Sequence, residues 1–483
     1  MSQKLNKIPF LKAVELREGF LNKTFSAVEI IEAHLARIRD VNPGINSIVT
    51  LCDGAALKTA SILDERLDRG EQLGALAAIP VGIKDTTDIA GVRTTYGCKL
   101  FENHIPNKDS TVVQRLKQAD AIIIGKTNTP EFATGANTYN EVFGATRNPW
   151  DLSKSAGGSS GGGAAGLAAR LFALAEGTDL GGSLRVPAAF CGVVGIRPTP
   201  GSIPYGPNPA PYDVFDVEGV MARSADDVAL SMSVLAGPDN YYPVSPTPNE
   251  VFSYSVFDKE KAVKKRAAFI PDIAGVGVDP EILECCQLAA NSLVDQGYGI
   301  TEENFDLSAG REAFATLRAQ WMLNRHLKLI DQREQLGENL RGNIEKGLSQ
   351  TPLDIANAEA VRTECWQKAS KFLDFYDIIL TPCTPVSPFN VEQNYPDEIN
   401  GQPMASYIDW IAPTFVISLI GLPAANVPAG LTATGMPIGL QIIGRRHDDL
   451  KILDKFKNNL DLIRKKIDNQ DINFYIDFIV NTL

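Results

Sequence analysis

The sequence predicts an α/β protein built as a single large domain around a central β-sheet flanked by helices. Three observations carry this. Short apolar runs bounded by turn residues alternate with helical segments, strand-like runs recur in both halves of the chain, and no internal repeat is visible in the 483 residues. A chain of this length usually divides into two or three domains, but large α/β units can exceed that prior.

Taken in order, Val28, Ile31, Leu35 and Ile38 recur at helical spacing within residues 10–41, and Asn42-Pro43-Gly44 is expected to stop that helix. A second helix is expected over 53–70. The runs AAIPVGIK (77–84), AIIIGKT (121–127) and RLFALAEGTD (170–179) read as buried strands. TVVQRLKQA reads as a helix between the first two, and GGAAGLAARLFA as a helix packed closely on the sheet. YYPVSPTPNE (241–250) reads as a long surface connection. RAAFIPD and a helix near 279–296 then resume the alternation. Residues 310–375 are helical and more charged, as an inserted layer or lid would be. DIILTPCTP and MPIGLQIIG return to strand. Residues 445–483 contain no Gly, Ala or Pro, and read as a surface helix with a divergent C-terminal tail to which no function is assigned.

Composition narrows the class. A net charge of −12 argues against a nucleic-acid partner, whose phosphates demand clustered Lys and Arg. The seven cysteines are scattered without a Cys-x-x-Cys pair, as suits reduced thiols. The N-terminus has no apolar signal region, and no apolar run reaches the ~18 residues of a membrane span. The expectation is a cytoplasmic protein with no membrane contact.

SAGGSSGGG (155–163) contains Gly157-x-Ser159-x-Gly161, the pattern of an α/β-hydrolase elbow. That chemistry needs an acid and then a histidine downstream. The four histidines are His34, His104, His326 and His447, and the last two lie in polar segments where solvated side chains are expected. The preceding NPWDLSKSA does not read as a buried strand either. Gly161-x-Gly163-x-x-Gly166 likewise lacks a strand before it, and Asp120 stands where a phosphate-binding loop ending in GKT requires glycine. No HExxH or paired cysteine ligands occur, so neither a metal nor a cofactor is expected.

What remains is a hydrolase without histidine. In EGTDLGGSLRVPAAFCGVVG (176–195), Ser183 follows Gly181 and Gly182, whose backbone freedom lets successive N–H groups converge on an oxyanion. Lys84 closes AAIPVGIKD, and a lysine desolvated at a buried strand end can serve as a neutral base. Taken singly, Lys84 reads better as a solvated strand-end charge and Ser183 as a turn serine.

Together with TVVQRLKQADAIIIGKTNTPEF, GATRNPWDL and GLPAANVPAGLTATGMPIGLQIIG, these motifs resemble the amidase signature family over roughly residues 10–460. The resemblance implies that family's mixed sheet, an amidase domain over 1–483 and a signature core about 77–200. It makes Ser183 the nucleophile, Ser159 the proton bridge after a cis Gly158–Ser159 peptide, and Lys84 the base. The oxyanion hole would use the backbone N–H groups of Leu180, Gly181, Gly182 and Ser183. Asp179 and Arg185 would brace the loop, and Ser160 would orient the relay. Cys191 reads as a packed thiol.

The implied substrate is a small-molecule amide, cleaved to a carboxylate and ammonia or an amine. Glutamine-hydrolysing subunits of tRNA-dependent amidotransferases in this family typically carry Gln where Val186 stands, and TNMDEF where this chain has TNTPEF. A stand-alone amidase is therefore favoured. A glutamine-hydrolysing component of that kind, or a catalytically silent interaction protein on the same fold, is the alternative, and a homodimer is left open. Pocket walls are expected from residues 132–144, 203–216, 310–350 and 400–415. There Tyr139, Phe143, Tyr205, Trp321 and Trp410 hint at an apolar or aromatic acyl group, each being equally readable as core.

Overall fold

A computed structural model describes residues 5–206, 210–246 and 265–454, and in it one mixed sheet of eleven strands organises the chain. The strands are β1 (Ile48–Leu51), β2 (Pro80–Lys84), β3 (Ile122–Thr127), β4 (Leu174–Asp179), β5 (Val194–Arg197) and β6 (Val217–Ala222) in the first half. β7 (Lys265–Phe269), β8 (Tyr298–Glu302), β9 (Ile378–Pro382), β10 (Ala424–Leu431) and β11 (Pro437–Ile443) follow. Their order across the sheet is β1-β3-β2-β4-β6-β5-β10-β11-β9-β7-β8. β2 lies parallel between β3 and β4, whereas β6 runs antiparallel to β4 and β5. Both halves of the chain thus build one sheet, as expected for a single domain.

Helices cover the sheet on both sides, and side-chain alternation along the strands divides the core accordingly. Ala267, Ile378, Ala425 and Ile442 join one apolar cluster with the helices Ala27–Ile45 and Gly161–Ala168. Their neighbours Ala268, Ile379, Ala424 and Ile443 join another with Gly310–Arg325, Pro352–Phe375 and Ala412–Leu419. The helix Gly161–Ala168 is all Gly, Ala and Leu because its neighbours approach it closely. A Cβ at Gly162 would collide with Asn128, and one at Gly166 with Phe172.

Several boundaries differ from the sequence reading. Residues 10–41 hold two helices, Ala13–Leu21 and part of Ala27–Ile45, separated by a turn with Lys23 at φ 57°. Asn42-Pro43-Gly44 does not stop the second helix. Pro43 lies inside its final turn, and the chain leaves at Asn46 (φ 53°), whose N–H donates to Asn42 O. Asp151–Ser155 is a short strand paired with Arg147–Asn148, but only Ser155 in it is buried, in keeping with NPWDLSKSA not reading as a buried strand. The 310–375 region is helical, and its bulk packs against the sheet's second core. Of the surface connection, residues 247–250 lie outside the described residues. So does the tail beyond 454, after a short helix Lys451–Asp454.

Candidate active site

The parallel register of β2 and β4 sets Val81 beside Leu174 and Gly82 beside Ala175, so Lys84 lies alongside the second half of β4. Lys84 is fully buried. Its Nζ lies 2.7 Å from Ser159 Oγ and 3.1 Å from Thr178 Oγ1. Burial draws the ammonium down to about 8, against the opposing pull of the Asp216, Glu176, Glu218 and Asp179 carboxylates. Ser159, also fully buried, follows a cis Gly158–Ser159 peptide at the start of the Gly161–Ala168 helix.

The next residue ties this segment to the Ser183 loop: Ser160 N–H donates to Ser183 O at 3.1 Å, and Ser160 Oγ reaches Thr178 O at 3.5 Å. The Ser183 loop is held from within by Asp179. Its carboxylate accepts Gly182 N–H (2.8 Å), Leu184 N–H (3.1 Å) and two bonds from the Arg185 guanidinium (2.9 and 3.0 Å). Arg185 in turn donates to Thr414 O, Gln441 Oε1 and Ser418 Oγ. Asp179 and Arg185 thus join the loop backbone to the Ala412–Leu419 helix and β11. Burial alone would raise the Asp179 carboxyl, but Arg185 and Arg197 hold it at about 2.

This arrangement corrects one expectation. Gly182, at φ 131° and closed to a Cβ by Thr414, gives its N–H to Asp179 instead of offering it to a ligand. No protein acceptor takes the N–H of Leu180, Gly181 or Ser183 among the described residues, so these three could meet an oxyanion.

Ser183 is half-buried and lines a cavity of about 260 Å³ with Thr178 and Leu180. Tyr96, Phe101 and Phe132 form an aromatic wall, the Tyr96 and Phe132 rings being stacked at 5.6 Å. Tyr205 and Trp321 also line the cavity, as anticipated. Trp410 is core, stacked on Phe190, and Tyr139 is exposed, so neither forms the wall. Phe143 lies beneath the Arg93 guanidinium instead.

His326 is not solvated. It is buried in the cavity wall with its ring 4.7 Å from Phe132, and burial brings its imidazolium down to about 3. The turn that ends the Gly310–Arg325 helix folds it inward. His447 is exposed, as expected. Asp216 and Arg325 complete the wall, with Arg325 donating to Tyr205 Oη at 2.5 Å. Burial pushes Asp216 up to about 6. Cys191 is a packed thiol whose Sγ meets Ala156 O at 3.5 Å. Among the described residues, no group of three or more His, Cys, Asp or Glu could hold a metal ion, and no helix is long and apolar enough to cross a membrane.

The amidase family model matches residues 29–453, and the chain belongs to that family, whose members hydrolyse carbon–nitrogen amide bonds. It is 34% identical over 474 residues to the A subunit of the glutamyl-tRNA(Gln) amidotransferase of Alkaliphilus metalliredigens, covering 92% of this chain and 95% of that one. It is also 34% identical over 455 residues to an acylamidase of Rhodococcus erythropolis, covering 92% and 94%. Among solved structures, a bacterial aryl acylamidase of the amidase signature family superposes with a TM-score of 0.85 at 26% identity, over 97% of this chain and 98% of that one.

Proposed function

We propose that this protein is a stand-alone amidase that cleaves a small carboxylic amide through an acyl-enzyme on Ser183. The observation that carries the reading is the fully buried Lys84 Nζ at 2.7 Å from Ser159 Oγ, next to Thr178, which lines the same cavity as Ser183. With the amine neutral, Ser159 donates to Lys84 and accepts the Ser183 proton as that hydroxyl attacks the carbonyl. The oxyanion is met by backbone N–H groups of Leu180, Gly181 and Ser183. The proton returns along the same serines to the leaving nitrogen, which departs poorly unless protonated. Water then releases the acid by the same route. The aromatic wall supports an apolar or aromatic group on the substrate.

Two outcomes follow for the relay. Because the lysine acts while neutral, kcat/KM should climb with pH and level off above about 8, the value to which burial draws Lys84. A profile flat from pH 6 to 9 would remove Lys84 as the base. Ser159→Ala should keep a slow residual hydrolysis, down about 10²–10⁴-fold, because the nucleophile survives without its bridge; unchanged turnover would exclude the bridge.

The reading as a whole is tested with a panel of aryl, aliphatic and peptide amides, read by ammonia or amine release. The amidotransferase relative favours a second reading, a glutamine-hydrolysing component of such a complex. Ammonia release from glutamine together with co-purifying partner chains would select it over the first.

A further inference from the structure

Beneath Lys84 lies a pair of acidic side chains that the relay does not use. Glu176 is on β4 and Glu218 on the adjacent antiparallel β6, where Glu218 pairs with Thr178 and Val220 with Glu176. Paired and alternate residues share a sheet face, so Glu176, Thr178 and Glu218 all point the same way. Thr178 Oγ1 touches Lys84 Nζ, which fixes that face as the one toward the lysine. Both glutamates are 1% exposed.

Their hydrogen bonding is unequal. Glu176 accepts at both oxygens, from Lys84 N–H and from Thr87 Oγ1, each at 2.9 Å. Glu218 is the diagonal neighbour of Glu176 on that face, and its Oε2 has no partner among the described residues. Two neighbouring buried carboxyls do not both ionise, and the one that accepts more hydrogen bonds keeps the charge.

We propose that Glu176 and Glu218 hold one proton between them, Glu218 neutral and Glu176 ionised, and that this charge positions Lys84 and, together with Asp216, supports its basicity. The proposal rests on the reading of Lys84 as the base. Burial and the neighbouring Glu176 drive the Glu218 carboxyl well above the usual range, in line with that assignment. Lys84 is also faced by Asp216 and Asp179, Glu176 by Lys126 from β3, and Glu218 by Asp216 and Arg325. The charge on Glu176 counters the desolvation of Lys84 and so keeps the lysine from titrating lower still.

The test is the pH dependence of covalent labelling of Ser183 by a fluorophosphonate, measured on the full chain and on Glu176→Gln and Glu218→Gln. Glutamine at 176 can keep both contacts: its carbonyl takes Lys84 N–H, and the Thr87 hydroxyl turns to accept from its amide. Removing this charge should move the acid limb of labelling to lower pH by about one unit, the scale of one charge removed at short range in protein. Glutamine at 218 replaces one neutral donor with another and should leave the limb in place. A limb indifferent to Glu176→Gln, or one that Glu218→Gln moves equally far, overturns the carboxyl pair while Ser183 still labels. Absence of label on wild-type Ser183 instead overturns the acyl-enzyme reading, and this proposal with it.

Discussion

Ser183→Ala should lower amide hydrolysis by about 10⁴–10⁶-fold and abolish the mass shift left by a serine-directed fluorophosphonate. The size follows from what the residue does in the proposed reaction. Its hydroxyl is the group that bonds to the carbonyl carbon, and Ser159, though bonded to Lys84, is fully buried while Ser183 reaches the cavity. Stability should change little, since the Ser183 side chain is half-buried and the loop is anchored through Asp179 and backbone groups. Intact-protein mass spectrometry and ammonia release report the two effects separately. Full turnover by the alanine variant would end the assignment.

Asp179→Asn should destabilise the fold by about 3–5 kcal/mol, because it leaves buried guanidinium charge without its counter-ion. Arg185 and Arg197 are both fully buried, and Asp179 is the carboxylate that each is paired with. The same change loosens Gly182 and Leu184 on either side of the candidate nucleophile, so activity should fall along with stability. Urea unfolding measures the first effect, and a midpoint matching wild type would show that the charges are compensated elsewhere. The sign with pH is set by a carboxyl held at about 2 in the folded chain. Its contribution is complete above the unfolded value of about 3.9 and is lost as pH falls through the folded one.

How much of this was legible in the sequence depends on how local each feature is. Asp179, Gly181, Gly182, Ser183 and Arg185 are a few residues apart, so their chemistry could be read together, and their mutual hydrogen bonds are short-range. Even there one detail was hidden: that Asp179 takes the Gly182 N–H depends on the backbone turning at φ 131°. Lys84 was legible as a candidate base at a buried strand end, but that its amine meets Ser159 and Thr178 was not. Three of the four segments expected to wall the cavity do so, but Tyr96 and Phe101 were not anticipated and none of the described residues 400–415 lines it. Tyr96, Phe132, Asp216 and His326 come from four separate segments, and an aromatic residue has the same pattern whether it faces a cavity or a core. His326 shows the cost of reading a residue by its neighbours, since polar flanks suggested solvent while the turn after the helix placed it inside. Pro43 likewise looked like a stop, yet a helix end tolerated it because Asn46 supplied the exit.

The hold of Arg185 on Thr414, Ser418 and Gln441 has a consequence for how the protein is made. Lys84, Ser159 and Ser183 have all left the ribosome before half the chain is synthesised. Asp179 is already present to hold the Ser183 loop, but the groups that fix Arg185 from outside are still to come, the last of them on β11. A chain interrupted before Thr414 carries all three candidate residues and none of the outer brace. If the proposed reaction is right, the loop is therefore expected to take its final form only once β11 has been made.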